Sequence, residues 1–301
     1  MKVLITGATG MLGTSLTRQF LAEGHDVHGL SRGKILRNPF PKERLLKGDI
    51  TDPKQVDRIL QSIRPEVVLH SAALSDVDYC ERVPEEAYRV NGEGTRILAE
   101  SSERAGSIFC YISSDYVFDG EKETPYHEAD PCNPINVYGK SKFLGEERTR
   151  AVSKRYYIIR TSWLFGENRD SFVHHVLGWA KTKNEIRLVA DKWGSPTYTV
   201  DLAFAIHSLF KEKAPWGVYH VTNQGACSWI EYGRKVLAYS GINGVALVPI
   251  SLKELKLLAR RPLKSVLSSD KFSKAVRKEV RSWEEALKEY LVTVNIVPSK
   301  E

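Results

Sequence analysis

Residues Met1 to Phe20 read MKVLITGATGMLGTSLTRQF, and this stretch decides the fold. An apolar run, Val3 to Ile5, leads into glycines at 7, 10 and 13, and apolar residues return at Leu12, Leu16 and Phe20 with the spacing of one helical face. The order is strand, tight turn, helix. Gly7 suits the unusual backbone angles of the turn, Gly10 admits a pyrophosphate close to the main chain, and Gly13 lets the helix lie against the strand. Met11 and Leu12 then stand in a helical first turn whose free N–H groups and positive dipole end suit phosphates. Glycines in turns are common, but a triplet placed between a strand and a helix near the start of a chain predicts a dinucleotide site.

Working outward, strands and helices alternate, as an α/β doubly wound parallel sheet (Rossmann) requires. Asp26 to Leu30 reads as a second strand, ending in Ser31, Arg32 and Gly33. No acid stands there to hold ribose hydroxyls; a hydroxyl and a guanidinium face a 2′-phosphate instead, which favours NADP (NADPH) over NAD (NADH). The alternative is that Arg32 is a surface loop residue. Arg44 to Lys47 is a short third strand, and a helix follows from Pro53 to Ile63 with proline in its first turn. Glu66 to His70 is too apolar for a sheet edge, and Ala72 and Ala73 after it supply small side chains for a cofactor wall. Pro84 to Ala105 has the length of a long helix.

The strand Ser107 to Ile112 delivers Ser113, Ser114, Asp115 and Tyr116 at its carboxyl end, where open parallel sheets bind ligands. Tyr138 and Lys142 follow on a helix running to about Arg150, four residues apart and on one face. A phenol titrates near 10 and is a sluggish proton donor at neutral pH. One positive charge at about 5 Å, in an effective dielectric of about 20, favours the phenolate by roughly 3 kcal/mol, or about two pKa units. Lys142 is placed to supply that charge and to bind the nicotinamide ribose. Ser114 is placed to donate to a substrate carbonyl as hydride arrives, with Tyr138 protonating the oxygen.

The spacing GxxGxxG resembles the short-chain dehydrogenase/reductase superfamily in its extended form. That resemblance implies that Asp49 and Ile50, at the end of the third strand, flank the adenine, and that Asn91 in NGEGT props the active site. The segments SSDYVFDG (113–120), NVYGKSK (136–142), RTSWLFG (160–166), GSPT (194–197) and ARRP (259–262) narrow it, since together they resemble the dTDP-4-dehydrorhamnose reductase family from Met1 to about Tyr290. The resemblance implies reduction of the 4-keto group of a dTDP-linked 6-deoxysugar. It gives Ser114 the place of the hydroxyl donor, flanked by Asp115 and Tyr116, Tyr138 that of the acid and Lys142 that of its partner, and sets Trp163 in the sugar pocket. Some members bind magnesium at a dimer interface through acidic side chains; no such set is placed in this chain, so magnesium and a homodimer stay open. Two rival readings share the motifs. One is an NADP-binding regulatory protein resembling the methionine adenosyltransferase beta subunit; the other is another nucleotide-sugar reductase or epimerase.

Beyond Arg155 to Trp163, a sixth strand and its end, the pattern becomes less regular and carries Trp179 and Trp193, read as core aromatics. Val200 to Lys211 and Val218 to Val221 return to the first unit. The expected division is therefore 1–163 with about 199–222 for the NAD(P)-binding domain, and about 164–198 with 223–301 for a smaller α/β substrate-binding domain. Arg260 and Arg261 before Pro262 suit bidentate clamping of a diphosphate, with Arg261 the favoured residue and a structural ion pair the alternative. Trp283 to Tyr290 reads as a closing helix, with fraying expected from Val297 to Glu301.

The chain of 301 residues is 42% hydrophobic and carries a formal charge of +7 with a pI near 9.1. Ten Lys or Arg against three acids lie between Lys253 and Arg281, without an RNA-binding or helix-turn-helix signature; a solvated face or a phosphate-bearing ligand accounts for them better than nucleic acid. No apolar run reaches the roughly 20 residues of a membrane span, and the N-terminus does not read as a secretory signal, so a cytoplasmic protein is expected. Cys80, Cys110, Cys132 and Cys227 show no CxxC pairing, and no metal or disulfide framework is predicted.

Overall fold

The structure, a computed structural model, describes residues 1–33 and 44–294. The expected fraying of Val297 to Glu301 lies outside the described residues. In order the elements are β1 (Lys2–Thr6), α1 (Met11–Ala22), β2 (Asp26–Ser31), β3 (Leu45–Lys47), α2 (Pro53–Ile63), β4 (Val67–His70), α3 (Val77–Arg82), α4 (Pro84–Ala87), α5 (Gly94–Arg104), β5 (Ile108–Ser114), α6 (Val137–Val152) and β6 (Tyr156–Thr161). There follow β7 (Leu164–Phe165), α7 (Phe172–Ala180), β8 (Glu185–Val189), β9 (Trp193–Gly194), β10 (Thr197–Tyr198), α8 (Thr199–Lys211), β11 (Gly217–His220), β12 (Cys227–Ser228), α9 (Trp229–Tyr239), β13 (Ala246–Ile250), α10 (Asp270–Val276) and α11 (Trp283–Thr293).

Seven strands form one parallel sheet in the order β11-β6-β5-β4-β1-β2-β3. Its doubly wound character follows from alternation along β1. Val3 and Ile5 point to one face, where Leu16 and Phe20 of α1 meet Leu202 and Ile206 of α8. Leu4 points to the other, against Val56 and Leu60 of α2 and Leu98 of α5. Both faces are dry, so the strand reads as an unbroken apolar run. β4 sits between β1 and β5, the interior place its composition predicts.

A third apolar cluster joins α7, α9 and α11 through Val176, Tyr232, Val236, Leu287 and Tyr290. Short pairings link the second half of the chain: β10 with β7, β12 with β9, and β13 with β8. Among the described residues no helix is long and apolar enough to cross a membrane.

One expectation needs correction. Pro84 to Ala105 is not one regular α-helix: α4 and α5 are joined by a π-helical turn, Tyr88–Glu93. Such a turn admits one extra residue per hydrogen-bonded ring and shifts the side chains that follow. Asn91 lies within it and is buried.

Candidate active site

The carboxyl ends of the central strands border a cavity of about 810 Å³. Gly7, Gly10, Met11, Leu12, Gly13, Ser31, Arg32, Ile50, Ala72 and Ala73 line it, together with Ser114, Asp115, Tyr116, Tyr138, Lys142 and Trp163. Residues from 7 to 170 of the chain are gathered there by the sheet, which brings strand ends far apart in sequence to one rim.

The glycine turn is built for close approach. Gly7 has φ of +66°, and a Cβ there would stand 2.7 Å from the backbone nitrogen of Ala72. A Cβ on Gly13 would fall 2.1 Å from the Gly7 carbonyl oxygen. Gly10 caps α1 without any side-chain hydrogen bond, and the first turn of α1 holds no acid. Its N–H groups and dipole are left to whatever enters the cavity. Ser31 Oγ and Thr9 Oγ1 share a hydrogen bond of 2.8 Å at the same rim.

Tyr138 and Lys142 start α6, whose N-cap Asn136 accepts from the Gly139 N–H at 2.8 Å. Gly139 is required because a Cβ would meet the Tyr116 carbonyl oxygen at 2.1 Å. The register of α6 on β5 is pinned by buried polar bonds. Ser113 donates to Glu146 at 2.6 Å, and Arg160 grips the same carboxylate at 2.8 Å. Burial works to raise the Glu146 carboxyl, but the hydrogen bonds and charge of Arg160 outweigh it and hold the group below its ordinary range. Asn91 fixes the other side: its Oδ1 accepts from Leu74 N–H at 2.8 Å, and its Nδ2 donates to Leu74 O and Ser141 Oγ, each at 2.9 Å. The π-helical turn thus ties the segment after β4 to the helix bearing Tyr138.

The electrostatics depart from the spacing argument. Lys142 Nζ donates to the Ile112 carbonyl oxygen at 2.7 Å and lies 4.2 Å from the centre of the Tyr111 ring. Burial lowers this lysine to about 7. The Tyr138 phenol is not acidified: burial pushes it up, Ser114 restrains it, and Asp115 and Cys80 push it further up. Two desolvated groups on one helical turn therefore each favour their neutral forms.

Two residues do not reach the cavity wall. Asp49 turns to Thr51, accepting from its N–H and its hydroxyl at 2.9 Å each, with Arg32 at 3.8 Å. Arg261 pairs with Asp78 at 3.0 Å and donates to the Ala259 carbonyl at 2.9 Å; it stands next to the wall, close enough for its charge to act on the Tyr116 phenol.

Sequence reasoning missed several wall residues, among them Thr161 and Asn168. Thr161 Oγ1 and Asn168 Nδ2 are buried and find no partner among the described residues. Polar atoms in that condition are expected to meet a ligand or water. Thr161 ends β6 and lies inside RTSWLFG, a signal the sequence carries; residues 168–170 lie just beyond that segment and belong to no motif. Together the uncapped helix start, the glycine cradle and these two open polar atoms fit an elongated, phosphate-bearing dinucleotide with a second, smaller ligand beside it. No group of three or more His, Cys, Asp or Glu among the described residues is arranged to hold a metal ion.

The model of the RmlD substrate binding domain matches residues 1–296. The spore coat polysaccharide biosynthesis protein SpsK of Bacillus subtilis is 41% identical over 290 residues, covering 96% of each chain. A crystal structure titled as a dTDP-4-dehydrorhamnose reductase from Clostridium acetobutylicum superposes with a TM-score of 0.90 at 35% identity, covering 98% of this chain and all of that one. Another, titled as the dTDP-4-dehydrorhamnose reductase of Bacillus anthracis in complex with NADP, gives 0.88 at 37% identity, covering 97% of this chain and 100% of that one.

Proposed function

Since the chain belongs to the dTDP-4-dehydrorhamnose reductase family of the extended short-chain dehydrogenase/reductase superfamily, and is an NAD(P)-dependent sugar-nucleotide oxidoreductase, we propose that it reduces the 4-keto group of dTDP-4-dehydro-L-rhamnose to give dTDP-L-rhamnose. The observation that carries this reading is the gathering of Ser114, Tyr138, Lys142 and Trp163 around the same cavity that the glycine turn lines.

NADPH, when bound, supplies the hydride. Gly7, Gly10 and Gly13 with the Met11 and Leu12 backbone would hold its pyrophosphate, Ile50, Ala72 and Ala73 would supply apolar wall for it, and Ser31 with Arg32 would take the 2′-phosphate. NADH is the alternative cofactor. Tyr138 enters the reaction protonated, because burial holds its phenol above the ordinary value, and gives its proton to the ketone oxygen as charge develops there. Ser114 donates a hydrogen bond to the same oxygen. Lys142 binds the ribose hydroxyls and supports the phenolate that Tyr138 becomes. Tyr116 and Trp163 form the aromatic side of the sugar pocket. Arg261, one ion-pair exchange away from the wall, takes the diphosphate in place of Asp78.

In this proposal residues 1–163 with about 199–222 carry the cofactor and the remainder carries the sugar nucleotide, and the reaction takes place in the cytoplasm. The test is NADPH absorbance on mixing the protein with dTDP-4-dehydro-L-rhamnose, with the sugar product identified by mass and NMR. Stoichiometric consumption and dTDP-L-rhamnose support the reading. Tight NADP binding without consumption contradicts it and favours a regulatory role.

A further inference from the structure

Lys192 has no place in the motifs above, yet it is fully buried just before β9. Its Nζ donates to the Pro262 carbonyl at 2.6 Å and lies 5.2 Å, 5.7 Å and 6.0 Å from the ring centres of Tyr116, Trp163 and Trp229. Two of those rings, Tyr116 and Trp163, line the cavity. An ammonium in such a place needs an opposing charge. Asp115, itself buried, provides it through space.

Asp115 in turn governs Ser114. One carboxylate oxygen accepts from the Ser114 hydroxyl at 3.0 Å and the other from the Ser265 hydroxyl at 2.5 Å. Burial pushes the Asp115 carboxyl up, against the opposing pull of Lys192 and of the Ser265 and Ser114 hydroxyls. In its ionised form it is an acceptor only, and the one proton of Ser114, which also lies within reach of the Tyr138 phenol, is then drawn to Asp115 rather than to the ketone. Serving the ketone requires that O–H to turn, which leaves a buried carboxylate oxygen one donor short. That vacancy is costly in a dry site unless a cation offsets it.

We propose that Lys192 is a positioning residue for the reduction: its charge balances Asp115 and so frees the Ser114 hydroxyl to turn from the carboxylate to the substrate ketone. No covalent bond changes in this step; one hydrogen bond is exchanged for another. The proposal rests on the reading of Ser114 as a ketone donor. The charged and titratable groups facing Lys192 are Asp115 from the end of β5, Arg261 from the segment before Pro262, and the Tyr116 phenol. Arg261 opposes the lysine charge and is itself paired with Asp78. Burial, chiefly, lowers Lys192 to about 8 against the pull of Asp115.

The experiment compares wild type, Lys192→Met, Asp115→Asn and the double variant, which removes both buried charges at once and so keeps a folded reference. With NADPH and the ketosugar, Lys192→Met is expected to lower kcat by about 10- to 100-fold while the KM for NADPH stays within about twofold. The double variant is expected to lose little beyond Asp115→Asn alone, since Lys192 acts through Asp115. Independently of turnover, wild-type tryptophan fluorescence is expected to titrate near pH 8 as the ammonium beside Trp163 and Trp229 loses its proton, and the Met variant is expected to lack that transition. Wild-type kcat in Lys192→Met, or fully additive losses in the double variant, overturns the proposal. A wild type that binds NADPH and leaves the ketosugar unreduced overturns the functional reading and the proposal together, an outcome distinct from an active enzyme indifferent to Lys192.

Discussion

The ammonium of Lys142 donates to the backbone carbonyl of Ile112 at 2.7 Å, so a charge that helical spacing aims at Tyr138 is anchored to β5. The lysine is lowered to about 7 by burial and half of it is neutral near that pH. Lys142→Met is expected to lower turnover by about 100-fold or more and to weaken NADPH binding, because the group proposed to bind the ribose is lost. Steady-state kinetics with a fluorescence titration of NADPH check this.

Gly13→Ala tests the glycine turn. The added Cβ would stand 2.1 Å from the Gly7 carbonyl oxygen, and backbone on both sides must yield. The variant is expected to lose about 3 kcal/mol of stability or fail to fold. Urea unfolding followed by circular dichroism measures the loss.

Arg32 decides between the cofactors in this account. It lines the cavity and is half exposed, with Asp49 3.8 Å away. Arg32→Ala is expected to raise the KM for NADPH by about 10-fold and leave that for NADH nearly unchanged, as a surface ion contact to a phosphate predicts. Equal changes for both cofactors contradict the assignment.

His220 predicts the acid limit of the fold. Burial first, then the charge of Arg160, lowers its imidazole from 6.5 to about 3. Between these values the unfolded chain binds a proton that the folded chain refuses, so ΔG of unfolding rises with pH across the window. The stability from this group is complete above pH 6.5 and is lost progressively as the pH falls toward 3. His220→Gln is expected to reduce the dependence of unfolding free energy on pH between about 6.5 and 4.5 by up to about one proton, the remaining slope coming from His70, His25 and His207, whose imidazoles burial also lowers.

The order of elements and much of the cavity lining were legible because they rest on local rules: apolar period, glycine turns, and strand ends. Tyr138 and Lys142 share a helix, and helical spacing alone brings both to the cavity. What the sequence hid depends on desolvation and long-range packing. The direction of the Lys142 ammonium is set by Ile112 on another element, and burial of Tyr138 reverses the expected shift of its phenol. The pairing of Arg261 with Asp78 spans 183 positions of chain and leaves no local trace in the sequence. Thr51, two residues on, donates twice to one carboxylate oxygen of Asp49, a turn contact that the apolar period does not announce. Lys192 carries no motif, and its surroundings come from Pro262, Tyr116, Trp163 and Trp229.

The central claim is that the Tyr138 phenol delivers the proton to the ketone, and Tyr138→Phe tests it most directly. Single-turnover oxidation of NADPH in the presence of dTDP-4-dehydro-L-rhamnose is expected to slow by about 100-fold or more in this variant, with NADPH affinity retained. Oxidation at the wild-type rate would contradict the account.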